Sequence, residues 1–184
     1  MKTALIIILA VVVLIVLYVI STYNVLVRLR NKVRDQWSQI DVVLKNRCDL
    51  IPNVVETVKG YAKHEKETLD AVINARNKAV SATTKEDEIA ASGEVTQALS
   101  RLFALTESYP ELKANENFIN LQNKLDEVEE KIRFARQFYN DTVLSYRNKL
   151  EMFPSNIVAN MFGFKTEAFF EATEEERKNV QVKF

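Results

Sequence analysis

Three sets of residues in this sequence are of types that do chemistry: the only histidine, the only cysteine and a cluster of carboxylates. His64 stands in the tripeptide Lys63-His64-Glu65. A metalloprotease site needs two histidines in HExxH spacing, and a di-iron bundle site needs Glu-x-x-His on two helices. Residue 61 is a tyrosine and no second histidine exists. The sequence therefore predicts a surface or capping role for His64 and no metal role.

Cys48 could pair with His64 as a nucleophile and its general base. Their flanking sequences match no catalytic signature, so we expect a buried structural thiol. A single cysteine forms neither an internal disulfide nor a cysteine-based metal knuckle. The glycine patterns GxGxxG, GxxxxGK and GxSxG, which mark phosphate cradles and nucleophile elbows, are absent from the sequence.

The carboxylate cluster consists of Asp126, Glu127, Glu129 and Glu130. On a helix that turns Leu125 and Val128 inward, these four side chains mostly point outward. We therefore interpret the cluster as a solvated face. The sequence predicts no catalytic residue, no cofactor-binding residue and no metal ligand.

Composition narrows the class of protein further. Lysine plus arginine equals aspartate plus glutamate, 25 of each, and the pI is near 6.6. Without a global positive field we expect no nucleic-acid partner. Only three glycines and three prolines occur in 184 residues, which argues against the many tight turns of a β-sandwich or barrel.

The segment Ala4 to Ile20 contains no charge, glycine or proline. Its length is near the lower end of what crosses a bilayer, and Tyr18 and Tyr23 stand where interfacial aromatics are common. The alternative, a cleaved signal peptide, has a shorter apolar region, and Val19 with Ser21 is a poor cleavage signal. The sequence predicts an uncleaved single-pass anchor in the cell membrane, with the lipid bilayer as a partner.

Charges beside the anchor indicate its orientation. Lys2 alone precedes it, whereas Arg28, Arg30, Lys32 and Arg34 follow it. The positive-inside rule then places the C-terminal domain in the cytoplasm.

Apolar spacing beyond the anchor predicts helices. The first stripe, which indicates a rigid helix continuing the anchor, contains Leu26, Leu29, Val33, Trp37, Ile40 and Leu44. Pro52 should break or kink this helix, with Asp49 capping the next one. Further helices are expected at about 65–80, 86–108 and 118–150, and Pro154 should end the last. Two possible capping boxes, Thr83 with Glu86 and Thr84 with Asp87, precede the second of these three.

After Pro154 comes an apolar stretch from Ile157 to Phe170. We expect it to fold back onto the bundle end; the alternative is a docking surface for a partner or the membrane. The fold class is all-α: an N-terminal transmembrane helix followed by an elongated antiparallel bundle of four-helix type. The expected domains are the transmembrane anchor 1–22, the helical bundle 23–164 and a charged C-terminal tail 165–184.

Several segments resemble the LemA family of bacterial membrane proteins, and they extend in order over nearly the whole chain. They include Trp37-Ser38-Gln39-Ile40-Asp41-Val42, Arg47-Cys48-Asp49-Leu50-Ile51-Pro52-Asn53, Val55-Glu56-Thr57-Val58-Lys59-Gly60-Tyr61-Ala62, Tyr109-Pro110-Glu111-Leu112-Lys113-Ala114-Asn115, Phe134-Ala135-Arg136-Gln137-Phe138-Tyr139-Asn140-Asp141 and Phe153-Pro154-Ser155-Asn156. The resemblance implies an N-terminally anchored helical bundle of LemA type. It implies no agreed activity and transfers no catalytic or ligand residue.

Three hypotheses for function follow. The first is a self-associating scaffold or adaptor at the membrane without catalytic activity, whose partners are further copies of the chain or another membrane protein. The second is a ligand-binding or stress-sensing module that uses the bundle end near Pro52 and Pro154. The third is a membrane-linked enzyme such as a hydrolase.

Overall fold

A computed structural model describes residues 1–171 of the chain. This part contains six helices and no strand, which confirms the all-helical bundle with a long N-terminal apolar helix. The helices are α1 (Lys2–Tyr61), α2 (Lys66–Ser81), α3 (Lys85–Thr106), α4 (Pro110–Lys113), α5 (Glu116–Glu151) and α6 (Ser155–Met161). Of the predicted charged tail 165–184, residues 172–184 lie outside the described part.

The N-terminal part of α1 is apolar and exposed. An 18-residue window in it has a mean hydropathy of 3.3, and none of that window is buried by the rest of the chain. Among residues 1–171, α1 is the one helix that is long and apolar enough to cross a membrane. The protein is therefore membrane-associated through this segment.

The chain divides into two compact units, and the first consists of Met1–Gln39 and Arg136–Phe169. Within it, α1 and the C-terminal half of α5 run antiparallel. The rings of Trp37 and Tyr139 lie 5.2 Å apart, and the ring of Tyr23 lies 4.8 Å from that of Phe162, just beyond α6. Side chains of both long helices are buried here: Leu26, Val33, Tyr139, Val143, Tyr146 and Leu150.

The segment after α6 folds back onto α1 and α5 within the first unit. Tyr23 and Phe164 meet edge to face at 5.7 Å, and the Arg30 guanidinium lies 5.3 Å from the Phe164 ring centroid. Farther along, the Tyr139 hydroxyl donates a 2.8 Å hydrogen bond to the carbonyl of Ala168. The expected return of the apolar stretch onto the helices is therefore present.

Among the described residues, the second unit consists of Ile40–Ala135 with Phe170 and Glu171. Its apolar core takes residues from five helices, α1 to α5: Ile51, Val54, Val58, Leu69, Val72, Val95, Leu99, Leu102, Leu112, Phe118 and Leu125.

Helix α3 begins with one of the two predicted capping boxes. Thr84 is the N-cap of α3, and its hydroxyl accepts a 3.1 Å hydrogen bond from the backbone N–H of Asp87.

The predicted break at Pro52 is wrong. α1 continues through Pro52 to Tyr61, and Asp49 does not begin a new helix. A proline inside a helix lacks the N–H that would bind the carbonyl four residues earlier, here that of Cys48. Arg76 of α2 supplies a replacement donor, since its Nε donates to the Cys48 carbonyl oxygen over 3.3 Å. The helix thus keeps this carbonyl satisfied by a side chain that a local pattern does not reveal.

Candidate functional site

Arg47 is the most deeply buried charged side chain of the second unit, with 1% of its surface exposed. Its position in the sequence directs it inward, because it lies three residues after the buried Leu44 and four before the buried Ile51. Arg47 therefore lies on the face of α1 that packs into the core, where its guanidinium requires polar partners.

Residues of α3 and α5 supply those partners. Arg47 Nη1 donates to Thr96 Oγ1 over 3.0 Å and to Glu129 Oε1 over 2.6 Å. Its Nη2 donates to Ser92 Oγ over 2.8 Å and to the Ser92 carbonyl over 3.1 Å. Four hydrogen bonds and one carboxylate offset the cost of removing the guanidinium from water. Within residues 1–171, Arg47 Nε has no hydrogen-bond partner.

A cavity of about 280 Å³ adjoins this cluster. Residues of α1, α2 and α3, with one residue between them, line it: Asp41, Leu44, Lys45, Arg47, Cys48, Asp49, Arg76, Ala79, Val80, Ala82, Glu88 and Ser92. Lys45 and Asp49 form an exposed ion pair at 2.9 Å on its edge. The cavity combines an apolar wall with three cationic side chains, Lys45, Arg47 and Arg76, and three carboxylates, Asp41, Asp49 and Glu88. The Arg47 guanidinium is already bound by Ser92, Thr96 and Glu129, so Arg76 is the guanidinium that could bind a carboxylate or phosphate oxygen.

Cys48 lines the same cavity as a free, buried thiol. Burial raises the pKa of the Cys48 thiol above its ordinary 9.0, although Arg47 and Arg76 act in the opposite direction. A thiol with a raised pKa is protonated at neutral pH and is a weak nucleophile. The expected buried thiol is present, and its environment disfavours covalent chemistry.

His64 does not join Cys48. It is exposed in the short link between α1 and α2, and it is not among the residues that line the cavity. From Cys48 to the end of α1 at Tyr61 the helix rises by about 20 Å at 1.5 Å per residue. The structure therefore separates the only pair of residues that the sequence offered as nucleophile and base.

The carboxylate cluster on α5 is only partly the solvated face that the sequence predicts. Asp126, Glu127 and Glu130 are exposed, whereas Glu129 is 39% exposed and forms the ion pair with Arg47. No group of three or more His, Cys, Asp or Glu side chains that could hold a metal ion occurs among residues 1–171.

Sequence reasoning overlooked Arg47 and Arg76 as structural centres. A signal for Arg47 existed, because a charged residue at an inward position of an apolar stripe requires a buried partner. No comparable signal marked Arg76, whose role depends on the backbone of another helix. Neither Pro52 nor Pro154, the residues near which the sequence suggested a binding site, lines the cavity.

The chain matches a family of known proteins over most of its length. The model of the LemA family matches residues 36–184. The chain belongs to the LemA family. The match begins after the apolar segment and includes the whole of the second unit, so the Arg47 cluster and the cavity lie inside the LemA region.

Individual relatives of this LemA-family chain are distant. The chain is 26% identical to Protein LemA of Metamycoplasma hominis, over 86% of its own length and 73% of the relative's. It is 23% identical to magnetosome protein MamQ 2 of Paramagnetospirillum magneticum, over 81% of its own length and 64% of the relative's. MamQ of Magnetospirillum gryphiswaldense is likewise 23% identical, with 80% and 64% covered. The chain thus spans less than two thirds of the magnetosome relatives.

Proposed function

We propose that this protein is a non-enzymatic scaffold or adaptor that crosses the cell membrane once, through Ala4 to Ile20, and assembles with copies of itself or with another membrane protein. The observation that carries the proposal is the bare apolar part of α1, with a mean hydropathy of 3.3 and no burial by the described chain. Apolar surface costs about 25 cal/mol per Å² in water, so a helix of this kind requires lipid or protein around it.

The continuity of α1 supports a role for this helix in attaching the bundle to the membrane. One helix, Lys2–Tyr61, contains both the apolar segment and residues of the bundle core such as Val54 and Val58. A partner bound by the bundle would thereby be kept at the membrane without a disordered linker.

Charge supports a cytoplasmic bundle. Four cations follow the apolar segment within fifteen residues or so, a distance at which the positive-inside rule acts: Arg28, Arg30, Lys32 and Arg34. Only Lys2 precedes the segment.

A thiol-reactive, membrane-impermeant maleimide tests on which side of the membrane the bundle lies. In a Cys48→Ala background, Val80→Cys at an exposed position should label in opened cells and stay unlabelled in intact ones; labelling in intact cells would reverse the orientation.

Several observations favour binding over catalysis. Cys48 is buried with a raised pKa, and His64 is exposed elsewhere. Arg47 and Glu129 are used to hold three helices together. The names of the relatives, Protein LemA and magnetosome protein MamQ, describe no reaction.

The decisive experiment measures the mass and composition of the particle extracted from native membranes in mild detergent. We expect several copies of the chain, or the chain with a second protein in fixed ratio. Two differently tagged copies, expressed together, should then co-purify, whereas copies mixed only after solubilisation should not. A particle with the mass of one chain and no second protein would overturn the scaffold proposal.

A second candidate function, binding of a small anionic ligand, is favoured by the Arg76 guanidinium in the lining of the cavity. Its volume suits a compact molecule with a carboxylate or phosphate group. Inorganic phosphate and small dicarboxylates should then raise the melting temperature of the protein, and Arg76→Gln should abolish the increase. An equal increase in both proteins would assign the effect to general salt stabilisation.

A further inference from the structure

The chain around α6 lacks charge. Residues 152–164 contain no Asp, Glu, Lys or Arg, in a protein in which 27% of residues are charged. Helix α6 and the four residues before it have two unlike faces. Ser155, Val158 and Ala159 are buried in the first unit, whereas Phe153, Ile157 and Met161 are exposed.

The exposed face is large and apolar. Ile157 and Met161, four residues apart, lie on one face of α6, and Phe153, in the turn before α6, is 80% exposed. Met152 and Phe162 are exposed beside them. Soluble proteins rarely leave such a cluster uncovered, and a patch of this kind marks a site of interaction.

Contacts within the first unit place this cluster next to the apolar segment of α1. Phe162 packs on Tyr23 at 4.8 Å between ring centroids, and Tyr23 lies three residues after Ile20. Three residues of helix correspond to about 5 Å along the axis. The cluster therefore lies at the depth of lipid headgroups when Ala4 to Ile20 spans the hydrocarbon, which is the depth used by interfacial helices.

We propose that Met152–Phe162 is a second membrane contact, in which the exposed apolar side chains enter the interfacial layer of the bilayer that α1 crosses. The inference rests on the proposed function, because it requires α1 to span the membrane. Arg28 is exposed on α1 five residues after Tyr23, and the exposed Lys165 follows Phe164; both cations favour anionic headgroups. Because the cluster adjoins the segment of α1 that crosses the bilayer, lipid covers it rather than a second copy of the chain.

Phe138 provides a matched control within the same unit. It is an exposed phenylalanine of α5, and its neighbour Tyr139 packs on Trp37. Trp37 lies fourteen residues beyond Tyr23 on α1, which corresponds to about 21 Å along the helix. Phe138 should therefore be in water, although its type and exposure resemble those of Phe153.

The test uses the full chain in vesicles of phosphatidylcholine and phosphatidylglycerol. In a Cys48→Ala background, nitroxide spin labels are attached singly after Leu9→Cys, Phe138→Cys, Phe153→Cys or Met161→Cys. Collision with oxygen, which concentrates in lipid, is compared with collision with a nickel chelate, which stays in water. All four positions are exposed, so helix content by circular dichroism should stay unchanged.

We expect a high oxygen-to-nickel ratio at position 9, a low one at 138, and ratios at 153 and 161 that lie between these two and well above the value at 138. A lipid-like label at 9 with water-like labels at 153 and 161 would overturn this inference and leave the anchor intact. A water-like label at 9 would overturn the proposed span itself. If the label at 153 is shielded from both reagents, and more strongly as protein is added to the vesicles, a second copy of the chain covers the cluster instead of lipid.

Discussion

Arg76 Nε donates a hydrogen bond to the carbonyl oxygen of Cys48, the group that Pro52 leaves without its helical donor. The proline and the arginine are therefore two parts of one arrangement on different helices. Because the donor comes from α2, the bond also fixes α2 against α1 at the wall of the cavity. An unpaired carbonyl in this partly buried place would cost about 1–3 kcal/mol.

The first prediction concerns the coupling between these two residues. Arg76→Ala should lower the free energy of unfolding by about 1–2 kcal/mol, because the Cys48 carbonyl loses its donor. Pro52→Ala restores the backbone N–H of residue 52, so the same arginine substitution should cost about 1 kcal/mol less in that background. Urea denaturation of the four proteins of the cycle measures the difference.

Arg101→Ala is the control for loss of an arginine, since Arg101 is exposed on α3. Its cost should be within about 0.5 kcal/mol in both backgrounds. If Arg76→Ala costs the same with and without Pro52, the hydrogen bond to Cys48 does not compensate for the proline.

The second prediction concerns the ion pair between Arg47 and Glu129. Glu129→Ala leaves the Arg47 guanidinium without its carboxylate and should destabilise the protein by about 2 kcal/mol, less than a fully buried pair because Glu129 is partly exposed. Glu127→Ala, two residues away and exposed, should change the free energy of unfolding by under about 0.5 kcal/mol. Equal effects of the two substitutions in chemical denaturation would refute a structural role for Glu129.

Periodicity predicted much of the fold. The α5 stripe, which includes Phe118, Leu125, Ile132, Tyr139 and Tyr146, is buried as expected. That success has a physical cause, because an amphipathic helix must bury its apolar stripe whatever its neighbours are. The uncharged apolar run indicated the N-terminal segment, and matching sequence segments indicated the family.

Predictions failed where a contact between distant residues decides the outcome. Pro52 reads as a helix end unless Arg76 is known to supply a donor. Glu129 reads as a solvent-exposed carboxylate unless Arg47 is known to face it. Neither partner is close in sequence, so helical spacing carries no information about the pairing, and the cavity between the helices was equally inaccessible to it.

The third prediction distinguishes the two capping boxes that the sequence allowed. Thr84→Ala should destabilise α3 and lower the free energy of unfolding by about 1 kcal/mol, because the Asp87 N–H loses its acceptor. Thr83→Ala should have little effect, since Thr83 is exposed and precedes the N-cap. Thermal denaturation followed by circular dichroism compares them, and a larger effect at Thr83 would shift the start of α3.

The fourth prediction follows from the raised pKa of Cys48. The folded state holds the thiol proton more tightly than the unfolded state, so the related stability is present below about pH 9 and is lost as the pH rises above the ordinary thiol value of 9.0. Raising the pH from 8 to 10 should therefore lower the free energy of unfolding of the wild type more than that of Cys48→Ser.

Alkylation provides a check on the same thiol that does not depend on stability. Iodoacetamide at pH 8 should modify Cys48 slowly in the folded protein and rapidly in urea. An exposed thiol introduced by Val80→Cys in a Cys48→Ala background should react quickly in both conditions. Fast modification of native Cys48 would show an accessible, ionised thiol and would reopen the case for covalent chemistry.

The fifth prediction tests the apolar segment of α1. Val12→Arg places a charge at the middle of Ala4 to Ile20, where insertion costs about 2.5–3.5 kcal/mol. The ratio of membrane-integrated to carbonate-extracted protein should fall by about two orders of magnitude, since about 1.4 kcal/mol corresponds to a factor of ten. Asn24→Arg, beyond the segment and exposed, should extract like the wild type. If Val12→Arg stays fully integrated, lipid does not surround residue 12, and a protein partner must cover the helix instead.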